Sequence, residues 1–318
     1  MLDVFQIFFL LMAFGEFILG IWGNGFLGFI NCIHWIKRNK ISLSDFIIMN
    51  LAFSRIILHC VLIFDSIVLM FGLDFYYEVT LTTIREACWT FSNYLSIWLS
   101  TCLSVFYCLK IAVFSHPAFL WLKWRISRVI PCILLVCVLF FFFNTVLLIK
   151  KYYIAFALLK MRALNIINYT ENVRRKQREL YVFHFINFLW TLVPFITSLF
   201  SCFLLILSLR RHTRAMGHRT IAPRDMSTTA HVRATKAMFS YFLLFVFYFV
   251  IQFIGTSTIL LKDTKVLIMI IELVAPVYPS VHSFILILQN KTLKEAFLKQ
   301  LCLKKGCMKD GARGSCTP

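Results

Sequence analysis

The sequence predicts an all-α membrane protein: a seven-transmembrane helix bundle, N-terminus outside, C-terminus inside, with a short amphipathic helix after helix 7. Three observations predict it. The chain is 60% hydrophobic and only 15% charged, where soluble domains are about half apolar and about a quarter charged. Its mean hydropathy is +0.81. Seven stretches reach the ~20 mostly apolar residues that a span requires: about 7–35, 46–71, 87–114, 128–149, 182–208, 235–261 and 266–288. Finally, Lys and Arg alternate in a way that orients the bundle. With the N-terminus outside, the inner segments carry Lys37, Arg38 and Lys40, then Lys123, Arg125 and Arg128, then the run from Arg210 to Arg233, then the tail 289–318. That is the positive-inside pattern.

Residues 1–318 read as one domain. The segment Lys150–Tyr181 is also basic and lies outside in this topology; its Asn168-Tyr169-Thr170 is a glycosylation sequon, usable only on an outer loop. A net charge of +19 in such a chain belongs to loops that meet anionic lipid, not to nucleic acid. The 11 cysteines have no zinc-site spacing and read as small packing residues. The N-terminus lacks a basic n-region, so it reads as the first span and not as a cleaved leader. No repeat relates the two halves, which argues against a transporter built from inverted repeats.

Helix 1 carries Gly20, Gly23, Gly25 and Gly28, which allow close helix approach. Asn24 among them is either helix–helix glue or part of a switch. Helix 2 opens on Ser42-Leu43-Ser44-Asp45, a capping signature with an acid at the positive helix end. Arg55 lies deep in this helix, where a charge demands partners. Asn24 or backbone carbonyls are the expected ones, in a structural clamp, an activation switch or both. Asp65 falls near the outer end.

Helix 3 is the most informative. No charge stands between Glu86 and Lys110, yet Thr90, Asn93, Ser100 or Thr101, Ser104 and Tyr107 recur at helical spacing. A polar side in hydrocarbon must turn towards other helices, so this helix belongs inside the bundle. Trp121, Lys123, Trp124 and Arg125 after it suit the membrane–water interface. Helix 4 holds Pro131, and helix 5 holds Pro194, which permits a bend. Asp225 or Ser227 caps helix 6, whose polar groups are Tyr241, Tyr248 and Gln252. Helix 7 carries Glu272, a ligand- or ion-site residue by its depth, and kinks at Pro276 and Pro279. In the tail, Leu293, Phe297 and Leu301 share one side of a short helix expected to lie on the inner leaflet. Cys302 and Cys307 follow as candidate palmitoylation sites. Neither a nucleophile–base pair nor a metal cluster is evident, and the 8 histidines are scattered, so no enzyme and no cofactor are expected.

Seven spans with a final interfacial helix resemble a G-protein-coupled receptor. The Asp-Arg-Tyr, Asn-Pro-x-x-Tyr and Cys-Trp-x-Pro motifs are absent. In their place stand Ser42-Leu43-Ser44-Asp45-Phe46 with Arg55, Trp89-Thr90-Phe91-Ser92-Asn93 and Phe106-Tyr107 with Lys110-Ile111-Ala112. Then come His116-Pro117, Phe119-Leu120-Trp121-Leu122-Lys123-Trp124-Arg125, Ala230-His231-Val232-Arg233-Ala234, and Tyr278-Pro279-Ser280 with His282-Ser283-Phe284. Together these resemble the bitter taste receptor family, the taste receptors type 2, over nearly the whole chain.

The resemblance implies a plasma-membrane receptor for bitter small molecules, coupled to a heterotrimeric G protein of the gustducin class. A membrane channel or transporter is the competing class. The implied ligand residues are Trp89, Thr90, Asn93, Tyr94, Tyr248 and Glu272, with Tyr94 standing where many members carry His. Asn24, Arg55, Pro194, Pro279 and His282 are the structural or switch residues. Tyr107, Lys110, His212 and His231 face the G protein, and Asn168 is the glycosylated residue. Met226 replaces a usual Pro at the helix 6 entry.

Overall fold

A computed structural model of the chain describes residues 4–71, 79–112, 114–163, 169–217, 226–258 and 265–300, leaving aside the side chains of 154–181, 212–234 and a few others. Asn168, Leu301, Cys302 and Cys307 lie outside the described residues. So do the side chains of His212, Met226 and His231. All described secondary structure is helical: α1 (Val4–Arg38), α2 (Leu43–Phe71), α3 (Val79–Ile111), α4 (Pro117–Ala163), α5 (Tyr169–Gly217), α6 (Met226–Thr258), α7 (Lys265–Val274) and α8 (Val277–Gln289), then α9 (291–300). Among the described residues, seven segments are long and apolar enough to cross a membrane, the last formed by α7 and α8 together. One end of the bundle gathers Arg38, Lys110 and Lys123 and is called the basic end below; the opposite end is the far end.

Local chemistry sets the helix ends. Ser42 caps α2, its Oγ accepting from the Asp45 N–H at 3.1 Å. Pro117 opens α4, where a missing N–H costs nothing, and His116 Nδ1 accepts from the Ala118 N–H at 3.3 Å. Pro276 and Pro279 have no N–H to offer the carbonyls one turn back, so the helix breaks into α7 and α8 at residues 275–276. The expected outer loop 150–181 is shorter than the sequence suggests, because α4 runs on to Ala163 and α5 starts at Tyr169. The segment is rich in Ala, Leu, Lys, Arg, Gln and Glu, good helix formers that need no membrane to continue a helix.

α3 is the hub. It packs on α2, α4, α5 and α6, and 67% of its apolar span is buried, against 17% for α1 and α4. The small polar residues make this possible, since Ser92, Ser96, Ser100, Thr101 and Ser104 are all buried and let neighbours approach closely. α1 and α2 run side by side, and at Gly20 the missing side chain leaves room for the His59 ring of α2. A Cβ there would stand 2.3 Å from the ring Nε2 of His59. That ring is 1% exposed and lies 3.4 Å from Ser280 Oγ, so it has no free space to enter. Gly20→Ala is therefore expected to destabilise the bundle by about 1–3 kcal/mol through overpacking, read as a lower melting temperature in detergent. Unchanged melting would show that the ring yields freely.

The apolar stripe of the last helix lies elsewhere than expected. Leu293 and Phe297 are buried in the bundle, not laid on lipid. Phe297 packs on Trp22 at 5.2 Å and on Phe26 at 5.4 Å between ring centres. Asn290 caps α9, its Oδ1 accepting from the Thr292 N–H at 3.0 Å. Aromatic partners on α1 and α8 offer this stripe closer packing than fluid acyl chains do, which the helix's own sequence cannot reveal.

Candidate functional site

Two polar clusters are built around α3, one above the other. The upper one lies in the half of the bundle nearer the far end. Asn93 stands 17 residues above Lys110 on α3, about 25 Å at 1.5 Å per residue. Its Oδ1 accepts from the Tyr248 hydroxyl of α6 at 2.6 Å. The same hydroxyl accepts from Gln252 Nε2, one turn further along α6. Asn93, Thr90 and Tyr248 are all buried. The phenol is thus donor to one amide and acceptor from another, which holds both its lone pair and its proton in place. Below it lies an aromatic floor of Tyr241, Phe245 and Tyr278, with Tyr248 and Tyr278 ring centres 4.9 Å apart. Such a chamber offers a small molecule flat apolar faces and a few fixed hydrogen-bonding groups.

The expected ligand residues do not all converge. Asn93 and Tyr248 bond directly. Tyr94, the next residue on α3, points another way: its hydroxyl donates to Asn187 Oδ1 of α5 at 2.5 Å and its ring meets Phe140 edge-on. Adjacent helical residues diverge by about 100°, so Tyr94 sits on the α4–α5 side. Trp89 is half-buried. Glu272 faces α2, with Ser66 and the Asp65–Arg85 pair for neighbours, that pair closing at 2.6 Å. Glu272 Oε2 is buried and has no hydrogen-bond partner among the described residues.

The lower cluster is built on Arg55, which is fully buried. It stands 12 residues above the start of α2, about 18 Å from the basic end. Its Nε donates to Ser96 Oγ at 3.1 Å, Nη1 to Ser283 Oγ at 2.9 Å, and Nη2 to Ser100 Oγ at 3.0 Å. Nη2 also donates to His282 Nδ1 at 2.7 Å. Arginine cannot accept, so this geometry places the imidazole proton on Nε2. The guanidinium centre also lies 5.7 Å from the Tyr278 ring centre. Asn24 is not a direct partner of Arg55, contrary to expectation. It joins through Ser283, whose hydroxyl donates to Asn24 Oδ1 at 2.7 Å, while Asn24 Nδ2 donates to the Gly20 carbonyl at 2.8 Å. Hydroxyls of α3 fill the place assigned to carbonyls because helical carbonyls are already engaged within their own helices. One arginine thus ties α2, α3 and α8 together, and Asn24 adds α1.

Sequence reasoning passed over Ser96 as an Arg55 partner and Asn187 as the partner of Tyr94. The one-turn spacing of Ser96 and Ser100 was the available signal for the first. Nothing local marks Asn187. At the basic end, Tyr107 packs with Cys108, Ala112 and Met238, and Lys110 Nζ lies 5.7 Å from the Phe106 ring centre. Pro194 sits within a continuous α5.

Six apolar spans around a polar seventh, with one polar cluster stacked above another, form the frame of a seven-helix membrane receptor. A family model described as "Taste receptor protein (TAS2R)" matches residues 1–305. The chain is 44% identical over 306 residues to "Taste receptor type 2 member 3" of Papio hamadryas, covering 96% of each chain. It is 43% identical over 306 residues to the protein of that name from Homo sapiens, again covering 96% of each. It is 44% identical over 299 residues to "Taste receptor type 2 member 7" of Pan troglodytes, covering 94% of this chain and 93% of the relative. The chain belongs to the taste receptor type 2 family, and with it to the multi-pass G-protein-coupled receptors of bitter taste.

Proposed function

We propose that this protein binds bitter small molecules between the far halves of α3, α6 and α7 and activates a gustducin-class heterotrimeric G protein. In this reading it sits in the plasma membrane with the N-terminus outside, so the far end is extracellular and Asn168 is available for glycosylation. The observation that carries the reading is the cluster of buried Asn93 and Tyr248 with half-buried Gln252 over an aromatic floor, Asn93 standing on the same helix as Lys110 at the basic end. An agonist shifts the receptor only by binding the active arrangement better than the resting one. The break at Pro276, with Pro279 in the first turn of α8 and Pro194 in α5, supplies the hinges of that change. Tyr107, Lys110, His212 and His231 form the face that receives the G protein. The Arg55 cluster, with His282 and Asn24, is the clamp between the two. The test is agonist-dependent GTP loading of purified gustducin-class G protein by the reconstituted receptor, across a panel of bitter compounds. Loading with at least one compound supports the reading. Loading with none, alongside compound-driven ion or solute flux, gives the protein to the channel or transporter class.

Glu272 adds a charge preference. Its unpartnered buried Oε2 suits a cationic or hydrogen-bond-donating agonist, because a buried acceptor without a donor is costly. Glu272→Gln is expected to raise the half-maximal concentration of cationic agonists by about tenfold or more, one charge-assisted bond being worth ~1.5–3 kcal/mol. Neutral agonists should move little in the same calcium assay. An equal shift for both would assign Glu272 to packing instead.

A further inference from the structure

The lipid-facing side of α4 carries a groove of about 350 Å³ that the receptor chemistry does not use. It is lined by Trp121, Arg125, Arg128, Cys132 and Val136 of α4, with Trp98 of α3 among its other walls. The α4 residues recur every three to four positions, so they form one stripe, about 22 Å long at 1.5 Å per residue. The stripe is graded. Its basic end presents two exposed guanidiniums, Arg125 and Arg128, beside the Trp121 indole. Arg125 lies 5.5 Å from the Trp121 ring centre. The remainder, from Val129 to Val136, is apolar. No Asp or Glu occurs anywhere between Glu86 and Glu171, so neither α4 nor the lower part of α3 supplies these guanidiniums with a counter-ion. Pro131 has no N–H, so the helical partner of the Ser127 carbonyl is also missing at this level.

The geometry points to a binding site for one anionic phospholipid of the leaflet at the basic end. Its phosphate and acidic headgroup would be held by Arg125 and Arg128, and one acyl chain would lie along Val129, Cys132, Ile133 and Val136 over Trp98. Charge complementarity decides the occupant. A planar guanidinium pair matches phosphate and carboxylate oxygens, and a sterol, with a single neutral hydroxyl, leaves both charges uncompensated. The grading also fits the bilayer: eight residues from Arg128 to Val136 span about 12 Å, most of one leaflet's ~15 Å of hydrocarbon. Because α4 packs directly on α3, an occupant here touches the helix that carries both polar clusters.

The experiment uses the full-length protein in phosphatidylcholine nanodiscs carrying a diazirine-tagged phosphatidylserine, with tagged phosphatidylcholine and tagged cholesterol as parallel probes. After illumination, peptides are mapped by mass spectrometry. Tagged phosphatidylserine should label peptides spanning residues 121–136 well above tagged phosphatidylcholine. Arg125→Ala with Arg128→Ala should cut that label by about tenfold or more, since each basic group near an anionic headgroup contributes a factor of about five. Lys37→Ala with Lys123→Ala removes the same charge from exposed positions off the stripe and should leave it nearly intact. Val136→Trp, which fills the groove without changing charge, should also reduce it. If the alanine pair fails to fold, Arg125→Lys with Arg128→Lys and Val136→Trp carry the test, the first keeping most of the label and the second losing it. Equal labelling by the two phospholipids, equal loss in both charge pairs, or stronger labelling of these peptides by cholesterol would each overturn the proposal.

Discussion

Arg55→Ala is expected to be the most damaging single substitution in the transmembrane core. The guanidinium is fully buried and donates to Ser96, Ser100, Ser283 and His282 at 2.7–3.1 Å. Removing it strands a buried imidazole acceptor, opens a cavity of side-chain size and uncouples α2 from α3 and α8. Breaking a buried charged network from one side costs ~3–5 kcal/mol, enough to consume much of a typical protein's stability. The expected result is a markedly lower melting temperature in detergent, poor surface expression and no agonist response. Arg55→Met separates clamp from switch. It restores much of the volume without the charge, and a buried ionic group can be replaced by an apolar one with little loss of stability. A stable but silent methionine variant would assign the arginine a role in activation. Near-normal melting of the alanine variant would refute the clamp.

The second large effect is expected at Asn93. Asn93→Ala removes the acceptor of the Tyr248 hydroxyl, a 2.6 Å bond inside the proposed pocket. It should raise the half-maximal agonist concentration about 10–100-fold in a calcium assay at matched surface expression, the equivalent of ~1–3 kcal/mol. Tyr248→Phe leaves Asn93 free to engage ligand and should cost less, about tenfold at most by the same scale. The two residues touch, so the double variant should depart from additivity by ~0.5–3 kcal/mol. An unchanged dose response in Asn93→Ala would remove this cluster from the ligand site. Additive effects would mean that the bond is not formed in the agonist-bound receptor.

Much of this was legible in the chain, for identifiable reasons. A bilayer punishes every unpaired polar group, so apolar stretches had to be spans and the polar face of α3 had to be internal. Arg55 stood out because a charge at that depth cannot lack partners. The identity of those partners was not legible. Ser96 and Ser100 are common residues, and only the placement of α2 against α3 turns their hydroxyls towards the guanidinium. Tyr94 and Asn93 are neighbours in sequence, and the helix sends them to different sides, one to Asn187 and the other to Tyr248.

Sequence alone therefore determined what the membrane's chemistry enforces residue by residue: seven apolar spans, a polar central helix, basic segments at one end and the motifs of the family. Tertiary structure alone decided what depends on how helices face one another. It routed Asn24 to Arg55 through Ser283, drew Leu293 and Phe297 into the bundle instead of onto lipid, and extended α4 and α5 beyond the spans read from the sequence. The physical reason is that burial in lipid is a property of a single helix, whereas a hydrogen bond or ring contact between helices belongs to a pair of faces. Those faces lie far apart in the chain, and no local spacing encodes their match.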